Sequence, residues 1–504
     1  MTLKATVRED YSANGDAWSH FPHSQARSRA YRWGEDGLAG ICDNHQNLCF
    51  SLALWNGVDP ILKERLFGVT GHEGNHGEDV KELYYYLDST PTHSYMKYLY
   101  KYPQRPYPYE QLVRENRNRG REVNEYEILD TDAFEDDRYW DVFVEYAKDE
   151  DSPNAISIRI TAYNRGPNPA TLHILPQIWF PNTWSWPAPR PPKPLLYLAA
   201  PGAITVKHPK VRTNLYYLPS PPPYDPNDSG EGDADNVYPD MLFTENETNY
   251  KRLYGGQNES GYAKDAFHDY VIPSHRLSYG TPGQTSHATE GNTTSGGLAT
   301  PKGSPDISSP SGREFVNPSN RGTKAAGHYI FRDVPGNGGV VVVRCKLTPA
   351  KPDADPGITD EEIFDMIIEE RREEADEFYG KLAADGLTDD LRSVMRQALA
   401  GMMWHVILPA HSISITYYLS GPSNSTSLSK PSGFQVILLN PRHPRSASIS
   451  EIESVRVDIL SLVSFLTVAN RNGNTFILKT SFPCPTNGNI LSLPLGTPHF
   501  IASR

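Results

Sequence analysis

YWDVFVEYAK (Tyr139–Lys148) alternates apolar and polar side chains almost without a break, and that period of two is the mark of a strand with one face in a core. Its neighbours extend the pattern. Residues 155–164 (AISIRITAYN) and 47–55 (NLCFSLALW) alternate or nearly so, and residues 171–180 (TLHILPQIWF) form an apolar run suited to a buried strand. Helical periods are nearly absent between these runs, so antiparallel sheets follow more naturally than β-α-β units. Asn164-Arg165-Gly166-Pro167 reads as a turn that closes a hairpin between two of the strands. Residues 339–347 (GVVVVRCKL) supply another strand. A short helix is expected over residues 93–100, where Tyr95, Met96 and Leu99 share a helical face.

Outward from this region the texture changes twice. Residues 187–320 hold Pro-, Gly- and Ser-rich stretches, and the tract 278–319 has too few large apolar residues to offset chain entropy, so it is expected to be a disordered insertion. Beyond residue 350 the period becomes helical. Thr359 precedes a run in which Ile363, Ile367, Ala375, Phe378 and Leu382 recur at helical spacing, with Asp360, Glu361 and Glu362 in the first turn. Thr388, Asp389 and Asp390 open a second helix whose Leu391, Val394, Met395, Ala398, Leu399 and Met402 form a wide stripe in need of a partner surface. Residues 405–504 differ again: they hold only three acids, Glu451, Glu453 and Asp458, and little periodicity. This tail is read as low-order and as translated non-coding sequence, such as a retained intron or a frameshift.

The N-terminal hundred residues carry the chemistry. Runs such as REDYSANGDAW (8–18), YRWGEDG (31–37) and GHEGNHGEDVKELYYYLDSTPTHSYMKYLYKYP (71–103) mix Trp, Tyr, His and acids between glycines. Aromatic faces stack on sugar rings, and carboxylates, Asn and His satisfy hydroxyls, so the mixture is that of a polyol-binding surface. Together with residues 54–82 (LWNG to VKE), 243–255 (FTENETNYKRLYG) and 321–329 (RGTKAAGHY), these runs resemble, in order, the N-terminal half of glycoside hydrolase family 63 proteins, in a branch distinct from the endoplasmic-reticulum processing α-glucosidase. The likeness extends over residues 6–404.

The resemblance implies a mainly β chain: an antiparallel β-sandwich, of the super-sandwich kind, over residues 1–350, then over 351–404 a helical linker and the first helix of an all-α (α/α)6 barrel. It also implies an inverting α-glucosidase whose acid and base lie in that barrel, of which this chain carries only the start. No catalytic residue is therefore expected here, and no metal or cofactor. Inversion needs two carboxyl groups about 6.5 to 9.5 Å apart. Glu35-Asp36 and Glu78-Asp79, each in a Gly-flanked loop, are the candidate pairs, and adjacent acids in such loops more often cap turns or pair with Arg. His72 and His76, beside Glu78 and Asp79, have a metal-like spacing, but Gly71, Gly74 and Gly77 forbid the helix that would align them. Trp33, Glu35, Asp36, His76, Glu78 and Asp79 remain as the candidate sugar-contacting residues. Trp55, Tyr84, Tyr85, Tyr86 and Tyr95 could also stack on sugar, although most aromatics of a sandwich belong to its core.

A net charge of −13 argues against nucleic acid and anionic membrane and is compatible with a neutral ligand such as the carbohydrate that the resemblance implies as partner. Four cysteines without a C-x-x-C pair suggest neither a zinc site nor a disulfide framework; Cys42 and Cys49 are expected to flank strands as thiols. The sequence opens without an apolar leader and holds no run of about 18 apolar residues, so a cytoplasmic location is expected, with the Asn246 and other sequons unmodified.

Overall fold

The computed structural model describes residues 23–30, 37–43, 45–69, 79–119, 122–150, 152, 154–185, 189–219, 239–273, 312–350, 361–383 and 386–407. In chain order its strands are β1 (Leu38–Cys42), β2 (Cys49–Trp55), β3 (Gly68–Val69), β4 (Asp79–Val80), β5 (Leu83–Ser89), β6 (Tyr95–Pro103), β7 (Tyr139–Lys148), β8 (Ile156–Asn164), β9 (Ala170–Trp179), β10 (Leu195–Ala200), β11 (Ala203–His208), β12 (Val211–Tyr217), β13 (Asp240–Thr244), β14 (Arg321–Gly322), β15 (Lys324–Val334) and β16 (Gly339–Pro349). The helices are α1 (His23–Ala26), α2 (Tyr109–Asn118), α3 (Tyr250–Tyr254), α4 (Ala266–Val271), α5 (Glu361–Leu382) and α6 (Asp389–Ile407).

The strands form a five-stranded sheet, β1-β2-β9-β15-β13, a nine-stranded sheet, β14-β10-β11-β12-β16-β8-β7-β6-β5, and the small β3-β4 pair, all antiparallel. The two large sheets face each other across one core. Period-two alternation decides which side chains enter it: Val144, Ile160 and Val343 lie in one cross-strand row of β7, β8 and β16, and Leu52, Ile174 and Phe331 line the opposing sheet. The alternate residues of the nine-stranded sheet point away from the core, and several of them are charged. Glu145, Arg159 and Arg344 occupy one such outer row. Strands β2 and β9 of the five-stranded sheet, by contrast, are buried on both faces, which is why they read as nearly continuous apolar runs.

Three sequence expectations need correction. Residues 95–103 are strand β6, not a helix, because its tyrosines alternate, and Met96, Tyr98, Tyr100 and Tyr102 all enter the core. The turn at residues 164–167 closes no hairpin: β8 pairs with β7 and β16, whereas β9 pairs with β2 and β15, so the turn carries the chain from one sheet to the other. Along α5 the buried face is Phe364, Ile368 and Ala375, packed on Tyr95 and Ala147, and Ile363 is exposed.

The chain divides into two compact units, and the sandwich unit includes residues 393–407 of α6. That segment buries Leu399, Met403 and Trp404 while leaving Val394 and Met402 exposed, so the expected stripe is split into a covered and a bare part. Trp404 joins the sandwich core among Tyr86, Tyr98 and Tyr146, and its Nε1 donates to the Gly40 carbonyl at 3.2 Å. Within the second unit, Thr388 caps α6, its Oγ1 accepting from Leu391 N at 3.3 Å. Residues 278–311, and the tail from 408 onward, lie outside the described residues. No described helix is long and apolar enough to cross a membrane.

Candidate functional site

Lys63, Glu64 and Arg65 are consecutive and all buried. Taking three charges out of water costs several kcal/mol each unless every one is compensated, so the run calls for a specific account. It lies beside the outer face of the five-stranded sheet, fixed there because Lys63 exchanges two backbone hydrogen bonds of 2.9 Å with Leu54 of β2. Glu64 accepts from Lys324 Nζ at 2.8 Å on Oε2 and from His268 Nε2 at 3.0 Å on Oε1. Lys324 opens β15 and His268 belongs to α4. Two of the sequence runs, residues 54–82 and 321–329, therefore meet at one place, joined there by α4.

Around this pair is a small open-mouthed hollow, with room for about one water molecule, lined by Ser51, Glu64, Arg65, Gln177, Trp179, Asn246, Lys264 and Lys324. Sheet register creates it. Ser51, Gln177 and Ala326 form one cross-strand row, Cys49, Trp179 and Lys324 the next, and the small residues leave room above the sheet. Gly37, directly after the YRWGED run, comes so close that a Cβ there would meet Ser51 Cβ at 2.2 Å, so only glycine fits. Asn246 is pinned: its backbone N donates to Thr323 Oγ1 at 2.8 Å and its Nδ2 to the Phe180 carbonyl at 3.0 Å. That sequon amide is therefore spent inside the fold. Lys264 donates to the Arg29 carbonyl at 2.5 Å.

Charge states follow from these partners. Burial alone would raise the Glu64 carboxyl, but the Lys324 charge and the His268 hydrogen bond outweigh it and hold the group well below the usual range. Burial lowers His268 to about 4 despite Glu64. Its Nδ1 accepts from Leu62 N at 3.2 Å, so the proton of the neutral ring resides on Nε2 and points at Glu64. The site holds an ionised carboxylate, an ammonium and a neutral imidazole at neutral pH. Such a carboxylate, tied to a cation, is a poor general acid.

A second buried network lies on the other side of the same run. Glu82 accepts from Lys63 Nζ and Phe67 N at 2.8 Å each and from Tyr100 OH at 2.7 Å, and Lys63 also faces the Tyr107 ring at 3.6 Å. Asp59 accepts from Tyr102 OH at 2.9 Å and Tyr109 OH at 3.3 Å. Burial pushes its pKa up to about 6, since the phenols and the Coulombic pull of Lys63 only partly offset desolvation.

Of the residues expected to touch sugar, Trp33, Glu35, Asp36, His76 and Glu78 lie outside the described residues, as does His72. Asp79 pairs its backbone with Val69 in the β3-β4 ladder. Of the aromatic candidates, Trp55, Tyr84, Tyr86 and Tyr95 serve the interior, whereas Tyr85 is half-buried on the opposite face of β5 from Tyr84 and Tyr86. Trp55 Nε1 donates to the Asp59 carbonyl at 2.9 Å, Tyr84 and Tyr86 pack on Tyr98, and Tyr95 OH donates to Glu145 at 2.6 Å. Cys42 and Cys49 sit opposite each other across β1-β2 as thiols. Among the described residues, no group of three His, Cys, Asp or Glu side chains is placed to hold a metal ion. The residues that sequence reasoning passed over are Glu64, His268, Lys324, Gln177 and Trp179; the signal was the unbroken Lys-Glu-Arg run inside an apolar segment.

The chain is similar to the Uncharacterized protein YMR196W of Saccharomyces cerevisiae, with 42% identity over 421 residues, 79% of this chain and 35% of that protein. The chain thus spans about a third of the length of the curated relative it matches. No family model matches.

Proposed function

We propose that the chain is the N-terminal part of a glycoside hydrolase of the family 63 type, an inverting and metal-independent α-glucosidase acting on an oligosaccharide or small glucoside, and that this part lacks the catalytic carboxylates. One observation carries the reading. The sandwich is followed by a helix that seats Trp404 in the sandwich core while Val394 and Met402 stay bare, as a helix does when a further layer packs on its other side. The resemblance of residues 6–404, and the length of the yeast relative beyond the matched third, support a helical barrel as that layer.

A second reading, a carbohydrate-binding or structural module without turnover, draws on the buried site itself: its carboxylate is held by Lys324 and its imidazole is neutral, so the groups are arranged to bind rather than to exchange protons.

The full-length yeast relative decides between them. It should hydrolyse p-nitrophenyl α-glucoside, releasing the β-anomer first by proton NMR, and the present chain should release nothing. Turnover by this chain, abolished by replacing an acid before residue 404, would overthrow the first reading; an inert full-length protein would favour the second.

A further inference from the structure

Cys42 and Cys49 are register partners at the loop end of the β1-β2 pair, and Cys42 lies on the edge strand of the five-stranded sheet. The hydrogen bonds around them decide what kind of pair they form. Asp43 N donates to the Leu48 carbonyl at 3.2 Å, so the adjoining pair, 42 and 49, is a non-hydrogen-bonded one, the closer of the two kinds, with Cα atoms about 4.5 Å apart. The far side of β2 is in the same phase: Phe180 N donates to the Thr323 carbonyl, which turns the backbone of Trp179 toward Cys49 and that of Cys49 away from Cys42. Ile41 and Phe50 face the core, so the two cysteine side chains project together from the outer face. Asp43 holds the intervening loop shut: its Oδ1 accepts from Asn47 N at 2.6 Å and Leu48 N at 2.8 Å, and its Oδ2 from His45 N at 3.2 Å and Asn47 Nδ2 at 3.0 Å. Cys42 is half-buried and Cys49 buried, so one sulfur is within reach of a small solute and the other stands behind it.

We propose that Cys42 and Cys49 are a reversible oxidation site, in which hydrogen peroxide converts the two thiols into a cross-strand disulfide that glutathione reduces again. The Cys42 sulfur attacks the peroxide O–O bond, giving a sulfenic acid and one water; the Cys49 sulfur then attacks the Cys42 sulfur and expels the hydroxyl, which leaves as a second water with the Cys49 proton. Two electrons pass from the thiols to the peroxide, and the atoms balance. Thiol hydrogen bonds are weak and give way readily to a covalent bond. A Cα separation of about 4.5 Å lies at the short end of the range of about 4.4 to 6.8 Å that disulfides span, so the bond forms with little backbone movement yet carries strain, and strained disulfides are the reducible ones. Where glutathione keeps thiols reduced, the pair rests open and closes only under oxidant. Closure ties the edge strand to β2 beside Gly40, whose carbonyl receives Trp404 Nε1. This inference does not rest on the glycosidase reading and stands or falls separately.

The test uses the full chain, folded, treated with hydrogen peroxide and then unfolded in N-ethylmaleimide. Trypsin cuts after Arg32 and Lys63 and nowhere between, so one peptide, residues 33–63, carries both cysteines. After peroxide that peptide should be lighter by two hydrogens and take up no label, while the peptide holding Cys345, which is buried in the core, should still be labelled. Glutathione should restore both labels on residues 33–63. The oxidised chain should melt higher than the reduced one, because a closed loop costs the unfolded state entropy, and neither Cys42→Ser nor Cys49→Ser should show the rise. Cys49→Ser should instead stop at the sulfenic acid on Cys42 and take up dimedone. Three results overturn the proposal: both cysteines still labelled after peroxide, oxidation that joins one chain to another instead of Cys42 to Cys49, or a disulfide that glutathione leaves intact, which would make it a fixed crosslink.

Discussion

The outer faces of the two sheets carry the same ion chemistry in opposite surroundings. On the nine-stranded sheet, Arg159 and Arg344 reach across to helix α5, where Arg159 meets Asp365 at 3.3 Å and Glu369 at 3.0 Å, and Arg344 meets Asp365 at 2.6 Å. Those carboxylates are 33% to 41% exposed. On the five-stranded sheet, Glu64, Lys324 and His268 are 7%, 5% and 2% exposed. Water shares the work of compensating charge in the first case, and only the partners do it in the second. An ion pair therefore means little for stability until its exposure is known.

The largest effect expected from this difference is at Lys324. Replacing it with Met leaves Glu64 ionised and buried with only a neutral imidazole beside it, and should cost about 3 to 5 kcal/mol in urea unfolding. Adding Glu64→Met to the same protein should recover part of that loss. If the single change costs less than about 1 kcal/mol, the two faces are not energetically distinct.

Next in size is a response to pH. His268 is held at about 4 against 6.5 for the free side chain, so the unfolded chain takes the proton first. The stability it contributes is complete above pH 6.5 and is lost as the pH falls toward 4, by about 3 kcal/mol. His173, lowered to about 3, acts in the same direction. Asp59 acts in the other: raised to about 6 from 3.8, it favours the folded state below pH 3.8, and that contribution is lost as the pH rises through 6. Between pH 4 and 6 the terms from Asp59 and His268 oppose each other. Asp59→Asn should therefore steepen the loss of stability between pH 6.5 and 4 by about 3 kcal/mol, measured by urea unfolding at each pH. An unchanged slope would remove Asp59 from the balance.

The smallest effect is expected on the nine-stranded sheet. Asp365→Asn should cost about 0 to 1 kcal/mol, and less in 0.5 M salt, where screening weakens exposed pairs. A salt-insensitive loss above about 2 kcal/mol would place this face with the buried one.

Much of the sheet structure was legible in the sequence because alternation is a local signal: β7 and β16 fall where their side chains alternate or run apolar. What alternation does not encode is partnership. The turn at residues 164–167 has turn chemistry whether the next strand pairs with the last one or crosses to the other layer. In β6, Tyr95, Met96 and Leu99 also satisfy a helical period, and the deciding feature was the row of tyrosines at every second position, which suits a pleated surface. The buried site was harder to see. A Lys-Glu-Arg run is ordinarily a solvated surface feature, and the partners that make it an interior one, Lys324 and His268, are more than 200 residues away.

Trp404 bears on how the molecule is made. It completes a ring cluster with Tyr86, Tyr98 and Tyr146, and hydrogen-bonds to a carbonyl 364 positions earlier in the chain. As the polypeptide emerges from the ribosome, every described strand is made before the side chain that packs among these tyrosines. A nascent chain stalled ahead of that codon presents an open tyrosine-lined seam to chaperones, and the seam closes only when the final turns of the helix leave the exit tunnel.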